Sequence, residues 1–383
     1  MGRLTSSPPP ISIVFLAFLV LANGGNALGG SSTERSGARR LFIFGDSTVD
    51  VGNNNYIDSI PSHRARHPPY GLNGFFGGPT GRFSDGRLVV DFIADYAGLP
   101  FIPPFLQPSA KLDNGANFAS GGATILPETG KGWGLALGTQ LNLFKKMQRS
   151  LAREFGDAKT KEQLSEAVYF ISIGSNDYIV DYISDLELQK MYPPEEYIGM
   201  VIGNLTQAIQ ELYETGARKF SFLSLGPLGC APAVRVLGPN GTHGRCFEEV
   251  SELAVAHNNM LSASLVGLEY LLEGFKYVNP NAYEWIGDRI YHPLKYGFID
   301  GENACCGRGP YGGIYSCGDT KEGMKEYELC GSPEEHVWWD SYHLSEKVNE
   351  QLAKKLWKNT ALKGFFTKDS VITDDPTNLQ DEL

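Results

Sequence analysis

Four short segments hold the residues of this chain that could carry covalent chemistry. The first, "LFIFGDSTVDVGNNN" (41–55), breaks from an apolar run into Gly45, Asp46 and Ser47. "GANFASGGA" (115–123) closes on Gly121 and Gly122, and "YFISIGSND" (169–177) closes on Gly174, Ser175, Asn176 and Asp177. The last, "VWWDSYHLSEKVNEQL" (337–352), places Asp340 and His343 just ahead of a helical pattern. These residue types suit acyl transfer. A serine hydroxyl attacks poorly until a base accepts its proton, and an imidazole can do so near neutral pH. The imidazole needs a fixed tautomer, which a carboxylate on its other ring nitrogen enforces. Asp340 lies one turn before His343, close enough in sequence to serve. The oxyanion needs donors set in advance, and the backbone N–H of Ser47, that of Gly121 and the side-chain amide of Asn176 could supply them. Glycine at 121 lets backbone approach a substrate closely.

Each residue also has a plainer use. Ser47 or Asp46 could cap a short helix, Asn176 could be a turn residue, and Asp177 and Asp181 read as solvated or capping acids. His257 falls among apolar neighbours in a helical pattern and reads as structural. His63, His67, His243, His292 and His336 have no carboxylate or nucleophile beside them that favours catalysis. A metal-dependent phosphoesterase would want a histidine-rich ligand set, which "GSND" lacks, and Asp46 and Asp50 are badly spaced for an aspartyl-phosphate reaction. No cofactor is expected. A non-catalytic binding protein would be betrayed by loss of Ser47 or His343, and both are present.

Something must bring these segments together. Apolar runs at Leu41–Phe44, Ala116–Ala119, Val168–Ile173, Lys219–Leu225 and Lys276–Val278 alternate with helical patterns, which predicts a parallel sheet with crossover helices. One helix opens at Pro193 and Pro194, keeps Tyr197, Val201, Leu205, Ile209 and Leu212 on one face, and stops at Gly216. Others run over 247–272 and 345–359. In such a sheet the first three segments emerge on one edge, where ligands collect. The stretches 56–86 and 297–333 break the alternation; loops that long in a compact domain are usually functional, and both could wall a cleft.

At this point the chain resembles the plant branch of the GDSL esterase/lipase family, within the SGNH hydrolase superfamily. Ser47, Gly121, Asn176 and His343 match the four residues that name the superfamily, and "FGDS", "NFASGGA", "GSND" and "DSYH" fall in its order. "PYG", "PTGRFSDGR", "LGPLGC" and "ACCG" extend the similarity across 41–365. The resemblance implies a three-layer α/β/α fold with a five-stranded parallel sheet. It also implies metal-free hydrolysis of a small-molecule or lipid ester, with Ser47 as nucleophile, His343 as base and Asp340 as its partner. An acyltransferase would share the same acyl-enzyme. Two positions depart from the pattern: Thr48 stands where leucine is usual, and Leu344 follows the histidine where proline is common. Neither removes a catalytic group.

Composition bounds the rest. With 42% apolar residues, 383 residues can bury a full core, and a net charge of 33 − 44 = −11 disfavours nucleic acid as a partner. Ile11–Ala22 is an apolar run of signal-peptide length, too short to span a bilayer comfortably, and small residues Gly25 and Ala27 allow cleavage after position 27. The expected organisation is a signal peptide over 1–27, a hydrolase domain over 41–365 and a polar tail over 366–383, with no transmembrane segment in the mature chain. Six cysteines in the C-terminal half, with no C-x2-C pair, point to disulfides rather than zinc, with the pairing left open. Sequons at Asn204 and Asn240 agree with a secretory route. The final Gln380-Asp381-Glu382-Leu383 is like an ER-retention signal but has a neutral first residue, so export with at most partial retention is expected. The sequence leaves oligomeric state and ester specificity open.

Overall fold

A computed structural model describes residues 40–59, 63–127, 134–238, 245–315, 317–318, 320–321 and 323–367. Its centre is a five-stranded parallel sheet of β1 (Leu41–Gly45), β2 (Gly115–Asn117), β3 (Val168–Ser172), β4 (Lys219–Phe222) and β5 (Lys276–Val278), in the order β2-β1-β3-β4-β5. Alternate side chains of a strand point to opposite faces. Phe42 and Phe44 of β1 therefore enter one core, with Tyr169, Ile171 and Phe220, while Leu41 and Ile43 enter another, with Val168 and Phe170. The first core is covered by the helices Leu137–Phe155, Pro194–Glu214 and Glu248–Leu271, the second by Val89–Tyr96 and Glu346–Asn359. That is the expected three-layer α/β/α arrangement. Phe44 stacks on Phe118 at 5.1 Å and meets Phe144 edge-on at 5.7 Å. Burying such a ring contributes about 3 kcal/mol, and Phe44→Ala would cost about 3–5 kcal/mol because a cavity remains.

The five strands stand where the apolar runs predict them, with ends shifted by a few residues. β4, for example, stops at Phe222 rather than Leu225. The helix from Pro194 closes at Glu214 and Gly216 follows with φ +118°, a conformation that favours glycine. Periodicity alone did not single out the helices Val89–Tyr96, Leu137–Phe155 and Asp157–Glu166, the last two of which form the crossover from β2 to β3.

The two irregular stretches are fastened differently. In the first, the Arg82 guanidinium donates to both carboxylate oxygens of Asp91 at 2.7 and 2.8 Å in a buried pair, and Arg87 donates to Glu346 at 2.6 Å. In the second, Cys305–Cys330 and Cys306–Cys317 are disulfides; a third joins Cys230 to Cys246. Cys305 and Cys330 lie near His336, but their sulfurs are bonded to each other and offer no thiolate to a metal.

The folded region runs slightly past position 365. The helix Leu362–Phe366 packs back on the domain, with Phe366 buried and 5.7 Å from Trp357. The signal-like run, Asn240, His243 and the last four residues lie outside the described residues. No helix among the described residues is long and apolar enough to cross a membrane.

Candidate active site

The order β2-β1-β3 reverses direction beside β1, and in open α/β sheets a crevice forms beyond the carboxyl ends of strands at such a reversal. Ser47 follows β1, Gly121 follows β2, and Asn176 follows β3, so the topology delivers all three to that crevice. Gly45, at φ +159°, is close to plain extended backbone, yet an added Cβ there would sit 2.2 Å from the Ser172 carbonyl oxygen, so close strand approach requires glycine. Gln140 clamps this turn: its carbonyl oxygen accepts the Gly45 N–H at 3.0 Å and its amide donates to the Gly45 carbonyl at 2.8 Å. No helix begins at Ser47, so the capping alternative for Ser47 and Asp46 is not realised. Asp46 instead accepts the Thr48 N–H at 3.0 Å and the Thr48 hydroxyl at 2.7 Å.

His343 arrives from the far end of the chain, 296 positions after Ser47, and its Nε2 lies 2.7 Å from Ser47 Oγ. Its Nδ1 faces both Asp340 oxygens, at 2.7 and 2.9 Å. The reverse turn that makes this possible is held by Asp340 itself, whose Oδ1 also accepts the N–H groups of Tyr342 and His343, each at 2.9 Å. Tyr70 adds a fifth bond, donating its hydroxyl to Asp340 Oδ2 at 2.8 Å. Burial works to raise the Asp340 carboxyl, but the neighbouring imidazole and the donors from His343, Tyr342 and Tyr70 outweigh it and hold it below the usual range. It stays ionised. The Phe83 ring lies 4.9 Å from the imidazole and shields it.

The expected oxyanion donors fare unequally. Asn176 donates one N–H to the Ala123 carbonyl at 2.8 Å, which leaves the second hydrogen of the amide facing the cavity it lines. Ser47 lines the same cavity. The Gly121 N–H, however, is directed to Asp50 Oδ2 at 2.9 Å. Asp50 is fully buried and its other oxygen accepts the N–H groups of Gly52 and Asn53, both at 2.7 Å. Here the structure differs from the expectation: a carboxylate claims the third donor. Burial pushes that carboxyl up to about 6 against the pull of its backbone donors.

Two acids expected at the surface are inside. Asp177 is buried and accepts the N–H groups of Ile125 (2.9 Å) and Leu126 (3.0 Å), which fastens the Gly121 segment to the end of β3; burial pushes it up to about 7. Asp181 is likewise buried. They sit in a π-helical turn, Asp177–Tyr182, whose wide i→i+5 winding sets positions four apart on nearly the same face, here the inner one. His257 is structural as expected. It is buried against the Tyr178 hydroxyl at 2.9 Å, and burial lowers it to about 3, so it is neutral. His63 lies on the cavity wall, as a stretch 56–86 that walls a cleft allows, and its imidazole is lowered by burial and by His343. His67, His292 and His336 are elsewhere. Tyr70, Phe83, Asp50 and Gln140 are the site residues whose roles sequence reasoning missed; Tyr70 lies within the "PYG" motif, Phe83 within "PTGRFSDGR" and Asp50 within the first segment, whereas Gln140 carried no local signal.

His63 and Phe83 come from the first irregular stretch and Tyr315 from the second, so both do wall the cleft. The cavity beneath has a volume of about 350 Å³.

An α/β/α sheet with a Ser–His–Asp constellation at its carboxyl edge defines a class, that of ester and amide hydrolases. Within it, the chain belongs to the GDSL-like lipase/acylhydrolase family, whose model matches residues 41–356. It is 46% identical over 319 residues to GDSL esterase/lipase 5 of Arabidopsis thaliana, covering 83% of this chain and 82% of that one. It is 42% identical over 352 residues to GDSL esterase/lipase 1 of the same plant, covering 91% and 93%. A GDSL lipase of Tanacetum cinerariifolium is 42% identical over 325 residues, covering 85% of each chain. By this membership the chain is a carboxylic ester hydrolase.

Proposed function

We propose that the protein hydrolyses carboxylic esters through an acyl-enzyme on Ser47. The observation that carries the reading is the Ser47 Oγ–His343 Nε2 approach of 2.7 Å, with Nδ1 of the same ring on Asp340 at 2.7 Å. Ser47 Oγ attacks the ester carbonyl as Nε2 takes its proton, and ionised Asp340 stabilises the imidazolium. The carbonyl oxygen becomes an oxyanion that the Ser47 N–H and the second Asn176 N–H receive. Collapse breaks the bond to the alcohol, which leaves with the proton from Nε2. Water then attacks the acyl-enzyme, giving its proton to Nε2, and the acid departs as Ser47 Oγ recovers it. Gly121 joins the oxyanion hole only when its N–H turns away from Asp50, so two donors suffice at the start.

Ser47→Ala assayed with p-nitrophenyl butyrate tests this: turnover should vanish while the circular dichroism spectrum stays unchanged. Wild-type turnover in the variant would sink it, and activity lost to EDTA and restored by a divalent cation would favour a metal mechanism. We further propose export through the secretory pathway with glycans at Asn204 and Asn240. Three disulfides suit an oxidising compartment, and Asn204 is exposed on its helix. Expression in a plant secretory system, with and without the last four residues, should give similar amounts in the medium; retention of only the full chain would refute free export. Endoglycosidase treatment should lower the mass of the exported protein.

A further inference from the structure

The helix Glu248–Leu271 carries polar side chains where it passes the carboxyl edge of the sheet. Val255, Asn258, Asn259 and Ser262 follow the i, i+3, i+4, i+7 spacing that sets residues on one helix face. Across from them stand Asn279, Pro280 and Asn281, which leave the carboxyl end of β5, and Tyr283 and Glu284 of the next helix. These residues wall a second cavity, separate from the triad. Ser224, just past β4, lines both cavities. Its hydroxyl pins the shared wall, donating to the Pro280 carbonyl and accepting the Ala282 N–H, both at 2.9 Å.

The frame of this second cavity is fixed, yet many of its polar groups lack partners. Asn258 holds the Leu225 backbone at both ends, accepting its N–H at 2.9 Å and donating to its carbonyl at 2.8 Å, which leaves one amide hydrogen over. Asn281 accepts the Glu284 N–H at 3.2 Å and keeps both of its amide hydrogens. Among the described residues, the Asn259 amide and the Glu284 carboxylate have no hydrogen-bond or ion-pair partner. Asn279 donates to Ser262 Oγ at 3.2 Å, while its own carbonyl oxygen is shut off from water and meets no donor. Buried acceptors in folded proteins are nearly all satisfied, so an orphan at a cavity wall points to a ligand's donor.

The chemistry of the wall selects the occupant. Among the described lining residues there is no lysine or arginine, so a phosphate or carboxylate would meet Glu284 with no counter-charge. An alkyl chain would strip water from the amides and give them nothing in return. Vicinal hydroxyls fit, because each donates and accepts, as carboxamides do. Val255, Pro280 and the Tyr283 ring offer apolar surface to the C–H face of a sugar. We propose that this cavity is a second, non-catalytic site that binds one unit of a neutral saccharide. Its hydroxyls donate to Glu284 and Asn279 Oδ1 and accept from Asn259 and Asn281. The site is independent of the esterase reading, and binding is detected without turnover.

The test uses the mature protein, as wild type and as Ser47→Ala. Saturation-transfer NMR and calorimetric titration with the methyl glycosides of glucose, galactose and xylose read binding, with n-butylammonium and inorganic phosphate as contrasts. At least one glycoside should bind both proteins equally, in the millimolar range expected of so small and polar a ligand. Asn259→Ala removes an amide and Val255→Trp fills the cleft, both at exposed helix positions. Each should weaken that glycoside about tenfold, the worth of one or two hydrogen bonds, and leave p-nitrophenyl butyrate turnover unchanged. Two variants guard against one failing to fold. Glycoside binding that survives both would place the sugar elsewhere and overturn the site. Binding of n-butylammonium or phosphate without any glycoside would overturn the saccharide assignment, as would silence from every probe. Glycoside binding in a wild-type protein that cleaves no ester would uphold the site and refute the esterase.

Discussion

At the residue scale, the site is a set of hydrogen bonds whose members are not interchangeable. Asn176 gives one amide hydrogen to the Ala123 carbonyl, which leaves the other for the oxyanion of the proposed mechanism. Asn176→Ala should therefore lower kcat by about 10²–10³-fold with a smaller change in KM, since the bond forms mainly in the transition state; an unchanged kcat would reduce Asn176 to a structural residue. Tyr70 acts through Asp340 rather than on substrate. Tyr70→Phe removes a donor from the carboxylate, so the negative charge faces the imidazole less diluted and stabilises imidazolium more. The acidic limb of the kcat/KM profile should move to higher pH, and kcat should fall about three- to tenfold. A lower kcat with an unmoved limb would mean that Tyr70 serves packing alone. Ser47, Asn176, Asp340 and His343 were legible because each chemistry-bearing type stands at a strand end or turn. The pairs Tyr70–Asp340 and Asp50–Gly121 were not, because their members lie far apart in sequence and only the fold joins them.

Between residue and molecule, the elements act as holders. The sheet order brings three strand ends to one crevice, and that was readable from apolar runs of strand length. What the sequence concealed was inward-facing acid, because an aspartate beside a strand end reads as a cap until the turn that buries it is seen. Asp177 is such a case, pinning Ile125 and Leu126 to β3. Its carboxyl is raised by burial to about 7, above its unfolded value of 3.8, so the folded state holds the proton more tightly. The stability it contributes is full below pH 3.8 and is lost as pH rises through 7. Asn keeps an accepting oxygen and cannot ionise. The melting temperature of Asp177→Asn relative to wild type should thus improve from pH 4 towards pH 8; a difference that stays flat would show that Asp177 does not titrate in this range.

For the whole molecule, the three disulfides close loops of 16, 25 and 11 residues in the C-terminal part, which also carries Tyr315 and the His343 turn. Each closure is worth about 3 kcal/mol on chain entropy, so dithiothreitol should lower the melting temperature markedly; thermal scans with and without reductant check it, and no shift would mean that the bridges do not form. Cysteine usage made disulfides legible, but pairing needed the fold, since adjacent Cys305 and Cys306 take different partners. All these parts converge on one claim, that Ser47 is the nucleophile and His343 activates it. The most direct measurement is to treat the protein with an alkyl fluorophosphonate and locate the adduct by peptide mass spectrometry. The account predicts one stoichiometric adduct on Ser47, formed far more slowly in His343→Ala. An adduct on another residue, or labelling of Ser47 at an unchanged rate without His343, would contradict it.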